Sequence, residues 1–225
     1  METLSEWIPN VIRYSNQFPG AIVDTLIMLS VSAFVSFLIG LPLAIAVVLT
    51  KPDGLLPNRT VYWILDKLIN LFRSIPFIIL IPMLYVLSRL IFGTTIGVKG
   101  VLVPLIVGTV PYLARQMESA IEEIPYGVTE ASIAMGLSPW QIVRVVYLKE
   151  NIPGMIRGMT ITIISLIGQI AIVGAVGAGG LGDLAIRFGW QRQMSDITYV
   201  VVILILIIIS IIQAFGNYLV RKTTH

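Results

Sequence analysis

Side chains that could act as nucleophiles, general bases or metal ligands are scarce in this sequence. It contains no cysteine, and its single histidine is His225. The chain therefore lacks the thiolates and paired imidazoles of a zinc site and the usual base of a hydrolytic triad. We expect neither a catalytic centre nor a metal centre in this chain.

Glycine-rich phosphate-binding patterns are absent or out of context. The P-loop pattern G-x-x-x-x-G-K-[ST] does not occur. Gly177-x-Gly179-x-x-Gly182 fits the dinucleotide pattern G-x-G-x-x-G, but it follows a long apolar stretch and no βαβ unit surrounds it. We interpret it as a loop with a sharp turn, and we expect this chain to bind no cofactor.

A polar segment from Val128 to Gly154 interrupts an otherwise apolar sequence. Its pattern predicts two short helices. Glu130 is expected near the start of the first, where the helix dipole favours a carboxylate. Gly136 is expected to end that helix in the left-handed conformation, which glycine adopts at little cost.

The second short helix has a clear start signal. Ser138-Pro139-Trp140-Gln141 places serine at the N-cap, proline at the first helical position and glutamine at the third, which is a capping box. The helix is expected to run to about Leu148. Helices this short are marginal alone, so both must pack on another surface.

Composition shows what surrounds this segment. The 225-residue chain is 56% hydrophobic and 12% charged, with a mean hydropathy of +0.92. Soluble domains carry roughly 25% charged residues, so lipid must be the solvent for most of this chain. No basic run is interleaved with aromatic residues, which argues against a nucleic-acid partner.

Five stretches are long enough to cross a hydrocarbon core, which takes about 20 apolar residues per helix. Because backbone polar groups in lipid must be satisfied internally, these stretches are expected to be helices. The predicted fold is therefore an all-α membrane protein with five transmembrane helices, at about Ile22–Leu49, Ile64–Ile91, Val101–Ala120, Met155–Gly174 and Ile197–Tyr218.

The distribution of basic residues predicts the orientation. Alternate loops and helix ends on one side carry ten of the 15 lysines and arginines, and the richer side is cytoplasmic. The N-terminus is then outside and the C-terminus inside. We expect an external segment at residues 1–20, a membrane domain at 21–218 and a cytoplasmic tail at 219–225, with the polar segment in a cytoplasmic loop at about 121–154.

The polar segment resembles the "EAA" loop of binding-protein-dependent ABC importer permeases. Glu130-Ala131-Ser132, three further residues and Gly136 match the start of that motif, and Val146-Tyr147-Leu148 stands at its I-x-L positions. Lys149 replaces the motif's proline, which suggests that the second helix runs further. The resemblance implies a type I importer fold and an ATPase-coupling role for Glu130, Ala131, Ser132, Gly136, Ser138, Pro139, Trp140 and Leu148.

The segment Ala175–Gln193 is similar to the external loop of methionine-importer permeases. The resemblance implies a multi-pass homodimer in the bacterial cell membrane that imports methionine, of L and D form. Two copies of a separate ATPase, which uses the ATP, and an extracytoplasmic binding protein or lipoprotein are the implied partners. Betaine or choline is the alternative substrate class. A secondary transporter is the alternative mechanism, but ionisable residues at the membrane midplane are too few to favour it.

Several residues within the membrane domain are candidates for the path or its gate. Ser165 and Gln169 lie one turn apart in the fourth predicted span, where a polar side chain can line a path or bond between helices. Arg115 and Glu118 are expected to pair with each other or with the loop. Small residues of the external loop are the candidate outer gate: Gly177, Gly179, Gly180 and Gly182.

Overall fold

A computed structural model of the chain describes residues 7–224, which contain helices and no strand. The helices, in chain order, are α1 Pro9–Arg13, α2 Gln17–Thr50, α3 Arg59–Ser74, α4 Phe77–Met83, α5 Tyr85–Phe92, α6 Gly97–Glu122, α7 Tyr126–Ala134, α8 Pro139–Ile142, α9 Ile152–Gly174, α10 Gly180–Leu184 and α11 Ser195–Thr223. Two π-helical segments, π1 Val143–Glu150 and π2 Ala185–Trp190, continue α8 and α10 directly.

Four of these helices are long and apolar enough to cross a membrane. They are α2, α6, α9 and α11, and each contains one of the five spans predicted from the sequence. Residues 17–20, which belong to the predicted external segment, begin α2, and the domain bounds stay predictions. Residues 219–223 continue α11, so most of the predicted tail is helical. Residues 1–6 and His225 lie outside the described part of the chain.

The second predicted span is not a single helix. Its range, residues 64–91, is divided among α3, α4 and α5. The first break falls at Ile75, which is extended (φ −77°, ψ 122°), because a residue before proline is disfavoured in the α region and Pro76 has no N–H to continue the ladder. The second break falls at Leu84, two residues after Pro82. The number of membrane spans and their orientation stay predictions.

The chain divides into two compact units. The first comprises the described part of residues 1–34 with Pro76–Val107 and Ile163–Ile212. Its apolar core joins the start of α2 to α10, π2 and α11. Asp196 accepts hydrogen bonds from the backbone N–H groups of Asn10 (2.9 Å) and Val11 (3.3 Å), so the first turn of α11 satisfies donors at the start of α1.

The second unit comprises Val35–Ile75, Gly108–Thr162 and the described part of residues 213–225. One apolar cluster joins α2, α3 and α6, and another joins α2 and α6 to α8 and π1. The predicted Arg115–Glu118 pair is confirmed at 2.6 Å, and Arg115 also pairs with Asp66 of α3. Lys51, just after α2, pairs with Glu118 at 2.9 Å. These ion pairs tie α2 and α3 to the end of α6 from which the polar segment starts.

Candidate functional site

The polar segment folds as two short helices joined by the predicted glycine. α7 ends at Ala134, and Gly136 has φ +81°. This is the left-handed region in which most L-residues are strained. A Cβ built on Gly136 meets no atom within 4 Å. The glycine is therefore required by the backbone conformation and not by lack of space.

The capping box at the start of α8 is confirmed. The Ser138 hydroxyl accepts a hydrogen bond from the Gln141 backbone N–H (3.4 Å), and the Ser138 N–H donates to the Gln141 side-chain oxygen (2.8 Å). Pro139 occupies the first helical position. The helical path then continues as π1 to Glu150, past the predicted end at Leu148. Lys149 in place of a proline permits this, because lysine keeps its backbone donor.

The prediction for Glu130 was wrong in one respect. α7 begins at Tyr126, directly after Pro125, so Glu130 is its fifth residue and the first turn contains no acidic residue. The helix starts earlier than the triplet suggests because Pro125, with φ −56° and ψ 130°, stands at its N-cap. The field of the helix dipole falls off beyond the first turn. Glu130 is exposed, and within residues 7–224 it takes part in no ion pair.

One face of the loop is buried on the membrane helices. Ile142, Val143, Val146 and Tyr147 recur at helical spacing and pack with Val48 and Ile121, at the ends of α2 and α6. Leu148 is half-buried against the same cluster. This apolar cluster anchors the second short helix, which supplies the packing that so short a helix requires.

A polar contact links the two short helices within this anchor. The Tyr147 and Thr129 side chains share a hydrogen bond, and both residues are 7% exposed. Burial raises the pKa of the Tyr147 hydroxyl, although the bond to Thr129 opposes the shift. Tyr147 is therefore neutral near pH 7 and can hold α7 against π1 through its hydroxyl.

The other face of the loop is exposed and rich in large apolar side chains. Trp140 is 70% exposed and Met135 is 71% exposed. Glu130, Ala131, Gly136 and Ser138 are exposed as well, and Pro139 is half-buried. Ser132 differs: it is buried, and its hydroxyl donates to the Val128 carbonyl at 2.8 Å. Further exposed apolar residues of the loop are Tyr126, Val128, Ile133 and Val145.

A pocket of about 720 Å³ lies beside the loop, in the second unit. Its walls come from the connection after α2, the end of α6 and both short helices, and they include Lys51, Asp53, Glu122 and Tyr147. No sequence pattern indicates this pocket. Lys51, which lines the pocket, is marked in the sequence only by its position directly after a long apolar helix.

The glycine-rich loop after α9 packs tightly on the start of α2. Gly177, Gly179 and Gly180 have φ of +76°, +83° and +79°. A Cβ on Gly179 would lie 2.9 Å from the Asp24 carboxylate, and one on Gly180 would lie 2.8 Å from the Thr25 hydroxyl. These three glycines are thus required by the backbone, and two also by close approach.

Gly182 has another reason to be a glycine. Its φ is not positive, but a Cβ there would lie 2.5 Å from the Ala171 carbonyl oxygen of α9. Thr25, which sequence reasoning missed, accepts a hydrogen bond from the Leu181 N–H at 2.9 Å and is buried. No pattern in the sequence distinguishes this threonine from an ordinary residue of an apolar helix.

Ser165 and Gln169, the other candidates for the path, lie in α9 within the first unit and are half-buried. Gln169 has an interaction partner in the structure, and the roles of both residues stay predictions. Among residues 7–224 no group of histidine, cysteine, aspartate and glutamate could hold a metal ion.

Comparisons with known proteins identify a matching family and related permeases. Residues 36–225 match the family described as the inner membrane component of binding-protein-dependent transport systems. A probable D-methionine transport system permease of Vibrio cholerae is 40% identical over 202 residues, which is 90% of each chain. The D-methionine transport system permease of Escherichia coli K12 is 46% identical over 148 residues, which is 66% of this chain and 68% of that protein.

Solved structures agree with this. Two inward-facing structures of the MetNI methionine ABC transporter superpose with TM-scores of 0.89 and 0.90 at 42% and 40% identity, covering 91% and 95% of this chain and 95% and 99% of theirs. An amino acid ABC transporter superposes at 0.78 with 16% identity, which shows a shared fold alone. The chain belongs to the family of binding-protein-dependent transport system inner membrane components, and it is a permease subunit of the ABC importer type in the bacterial inner membrane.

Proposed function

We propose that this chain forms the translocation path of an ATP-driven importer of methionine, in both its L and D forms. The observation that carries the proposal is the 40% identity over 90% of the chain to a probable D-methionine permease. The TM-score of 0.90 with the MetNI methionine transporter, over 95% of this chain, supports it.

The working assembly is a two-fold dimer of this chain with two ATPase subunits and an extracytoplasmic binding protein. Four membrane-length helices and the broken α4–α5 segment are few to enclose a path for an amino acid. Two-fold dimers are the commonest homo-oligomers, and a dimer doubles the number of helices that can surround the path. The outer surface of α11 is suited to a role in the membrane, because only 11% of the helix's most apolar stretch is buried within the chain.

The exposed face of α7, α8 and the turn between them is the surface that docks on the ATPase. Large exposed apolar side chains surrounded by polar ones mark protein interaction sites, and Trp140 and Met135 have this character. The opposite face is anchored on α2 and α6, so movement of the ATPase reaches the membrane helices directly. The sequence contains no P-loop, so the partner binds and hydrolyses ATP.

The orientation predicted from basic residues puts this docking face in the cytoplasm and the glycine-rich loop outside. Gly177, Gly179, Gly180 and Gly182 then form the outer gate. The close approach of Gly179 and Gly180 to Asp24 and Thr25 of α2 supports this role. Ser165 and Gln169 of α9 are the polar groups proposed to face the path.

Uptake by the reconstituted complex tests the function. The permease, its ATPase and its binding protein are placed in proteoliposomes, and uptake of radiolabelled L-methionine, D-methionine, betaine and choline is measured with and without internal ATP. ATP-dependent uptake of methionine alone supports the proposal. Uptake of betaine or choline in its place would assign the other substrate class, and uptake without the ATPase would reject the importer mechanism.

Trp140→Ala tests the docking face, with Trp63→Ala in α3 as the matched control because that tryptophan is also exposed (60%) but lies outside the loop. We expect only Trp140→Ala to reduce co-purification of the ATPase with the permease. Equal loss from both variants would mean that the effect is not specific to the loop.

A further inference from the structure

Three arginines of the first unit gather around two aromatic rings that pack at a tilted angle of 51°. The rings of Tyr14 and Phe188 are 4.7 Å apart. The guanidinium carbons of Arg187 and Arg192 lie 4.9 and 4.6 Å from the centre of the Phe188 ring. Arg13 lies 5.6 Å from the centre of the Tyr14 ring. Arg13 of α1, Arg187 of π2 and Arg192 of the following loop thus form one cationic cluster.

The aromatic rings hold the guanidinium groups in place while leaving them accessible. Phe188 is 5% exposed and belongs to the apolar core of the first unit, so the ring is a fixed platform. Arg187 and Arg192 are exposed residues. A guanidinium attracted to a ring face still has N–H groups that can meet a carboxylate in bidentate geometry.

Nearby carboxylates only partly neutralise this cluster. Asp183 pairs with Arg187 at 2.7 Å. Asp196 is occupied by the backbone and side chain of Asn10. Within residues 7–224, Arg13 and Arg192 have no carboxylate partner. Arg13 and Arg192 therefore add positive charge to this surface outside the described ion pairs.

The backbone that carries the cluster is itself unusual. π2 Ala185–Trp190 has the wide helical winding that is frequent at functional sites. Gln193 follows with φ +60°, and no other non-glycine residue in the described range has a positive φ. Left-handed residues other than glycine persist only where surrounding structure holds them. Between these features, Trp190 projects with 78% of its surface exposed.

We propose that Arg187, Trp190 and Arg192 form the docking surface for an acidic face of the extracytoplasmic binding protein. The inference rests on the proposed function, which puts this loop outside. The family's description as binding-protein-dependent supplies the partner. Tryptophan and arginine are the residues most enriched where a few side chains carry the binding energy of an interface.

A protein partner fits this surface better than lipid headgroups do. The arginines belong to a loop whose backbone is fixed by a buried phenylalanine, two glycine-dependent contacts to α2 and the left-handed Gln193. A rigid, preorganised arrangement of side chains lowers the entropy cost of matching one specific partner surface. Fluid headgroups require no such fixed arrangement, because charge alone attracts them.

The test measures how the binding protein stimulates ATP hydrolysis by the complete complex in nanodiscs. Arg192→Glu is the main variant, because Arg192 has no described ion pair that its replacement would break. Arg192→Lys keeps the charge without the planar fork. Arg89→Ala, which changes an exposed arginine of the same unit in α5, is the matched control. Hydrolysis is recorded against the concentration of methionine-loaded binding protein at low and high salt.

We expect Arg192→Glu to raise the half-saturating concentration of binding protein about tenfold, because hydrogen bonds to charged groups are worth about that factor or more. Arg192→Lys should raise it less, and Arg89→Ala should leave it unchanged. Basal hydrolysis, complex assembly and maximal stimulation should equal those of the wild type. High salt should weaken binding to the wild type more than binding to Arg192→Glu.

An unchanged half-saturating concentration in Arg192→Glu would overturn the inference. So would a defect that appears only when the nanodiscs contain anionic lipid, because that would assign the arginines to headgroups. A wild-type complex that the methionine-binding protein does not stimulate would overturn the proposed function together with this inference. Stimulation of the wild type with no effect of Arg192→Glu would overturn the inference alone.

Discussion

Replacing Gly136 with valine should uncouple ATP hydrolysis from transport without preventing assembly. Gly136 joins the two short helices of the docking loop at φ +81°. A Cβ there meets no atom within 4 Å, so the substitution causes no collision and its effect is conformational. The left-handed conformation costs an L-residue about 1–2 kcal/mol, and more when the side chain is β-branched.

A penalty of this size changes the population of the native turn by a factor of about 5 to 30. The four long helices do not depend on this turn, so the permease should still insert and assemble with the ATPase. α8 and π1 remain anchored through Ile142 and Val146, so the change should redirect α7 and its exposed residues. We expect transport and the stimulation of hydrolysis by binding protein to fall at least fivefold.

The assay is uptake and ATP hydrolysis by the reconstituted complex, with and without binding protein. Gly127→Val is the matched control. Gly127 is in α7 of the same loop, a Cβ there also meets nothing within 4 Å, and its φ is not positive. Wild-type coupling in a correctly assembled Gly136→Val complex would refute the reasoning. Equal damage from Gly127→Val would show that the backbone conformation is not the cause.

The remaining predictions concern the cap, the glycine-rich loop and the orientation. Ser138→Ala removes one bond of the capping box and should weaken coupling in the same assay by an amount near the usual cost of about 1 kcal/mol. Gly180→Ala would place a Cβ 2.8 Å from the Thr25 hydroxyl at a residue with φ +79°. Uptake should therefore fall sharply while basal hydrolysis is retained. Normal uptake by this variant would contradict the role of the loop as a gate. In a chain without native cysteine, an impermeant thiol reagent should label Gln191→Cys and not Glu130→Cys on intact cells, and the reverse result would invert the topology.

The local structure of the docking loop could be predicted from sequence because it depends on residues close together in the chain. The left-handed Gly136 and the capping box of Ser138 and Gln141 both follow from backbone chemistry over a few positions. Four long helices were also predictable, because the length and hydropathy of each segment determine whether it can cross lipid. Hydropathy did not predict the break at Ile75, because the stretch is apolar on both sides of Pro76 and hydropathy does not register the missing N–H of a proline.

What could not be predicted are the contacts between residues far apart in sequence. The Arg115–Glu118 pair could be predicted because its members are three residues apart. The pairing of Arg115 with Asp66 could not, because the two residues are 49 positions apart. Likewise, nothing about Thr25 indicated that it would accept a hydrogen bond from Leu181. Such contacts depend on how the helices pack, which hydropathy and local pattern do not determine.

The two candidate surfaces differ in how their sequences encode them, and this has a physical reason. The docking loop must offer an exposed face to a second protein while its other face is buried, so in the second short helix helical periodicity separates Trp140 from Ile142 and Val146. The arginine cluster requires no periodicity, because one buried ring, Phe188, holds two cations whose positions in the chain are irregular. A surface built from a periodic face can be read from sequence, whereas a surface built around a single buried platform becomes visible only when the ring and its arginines are placed in space.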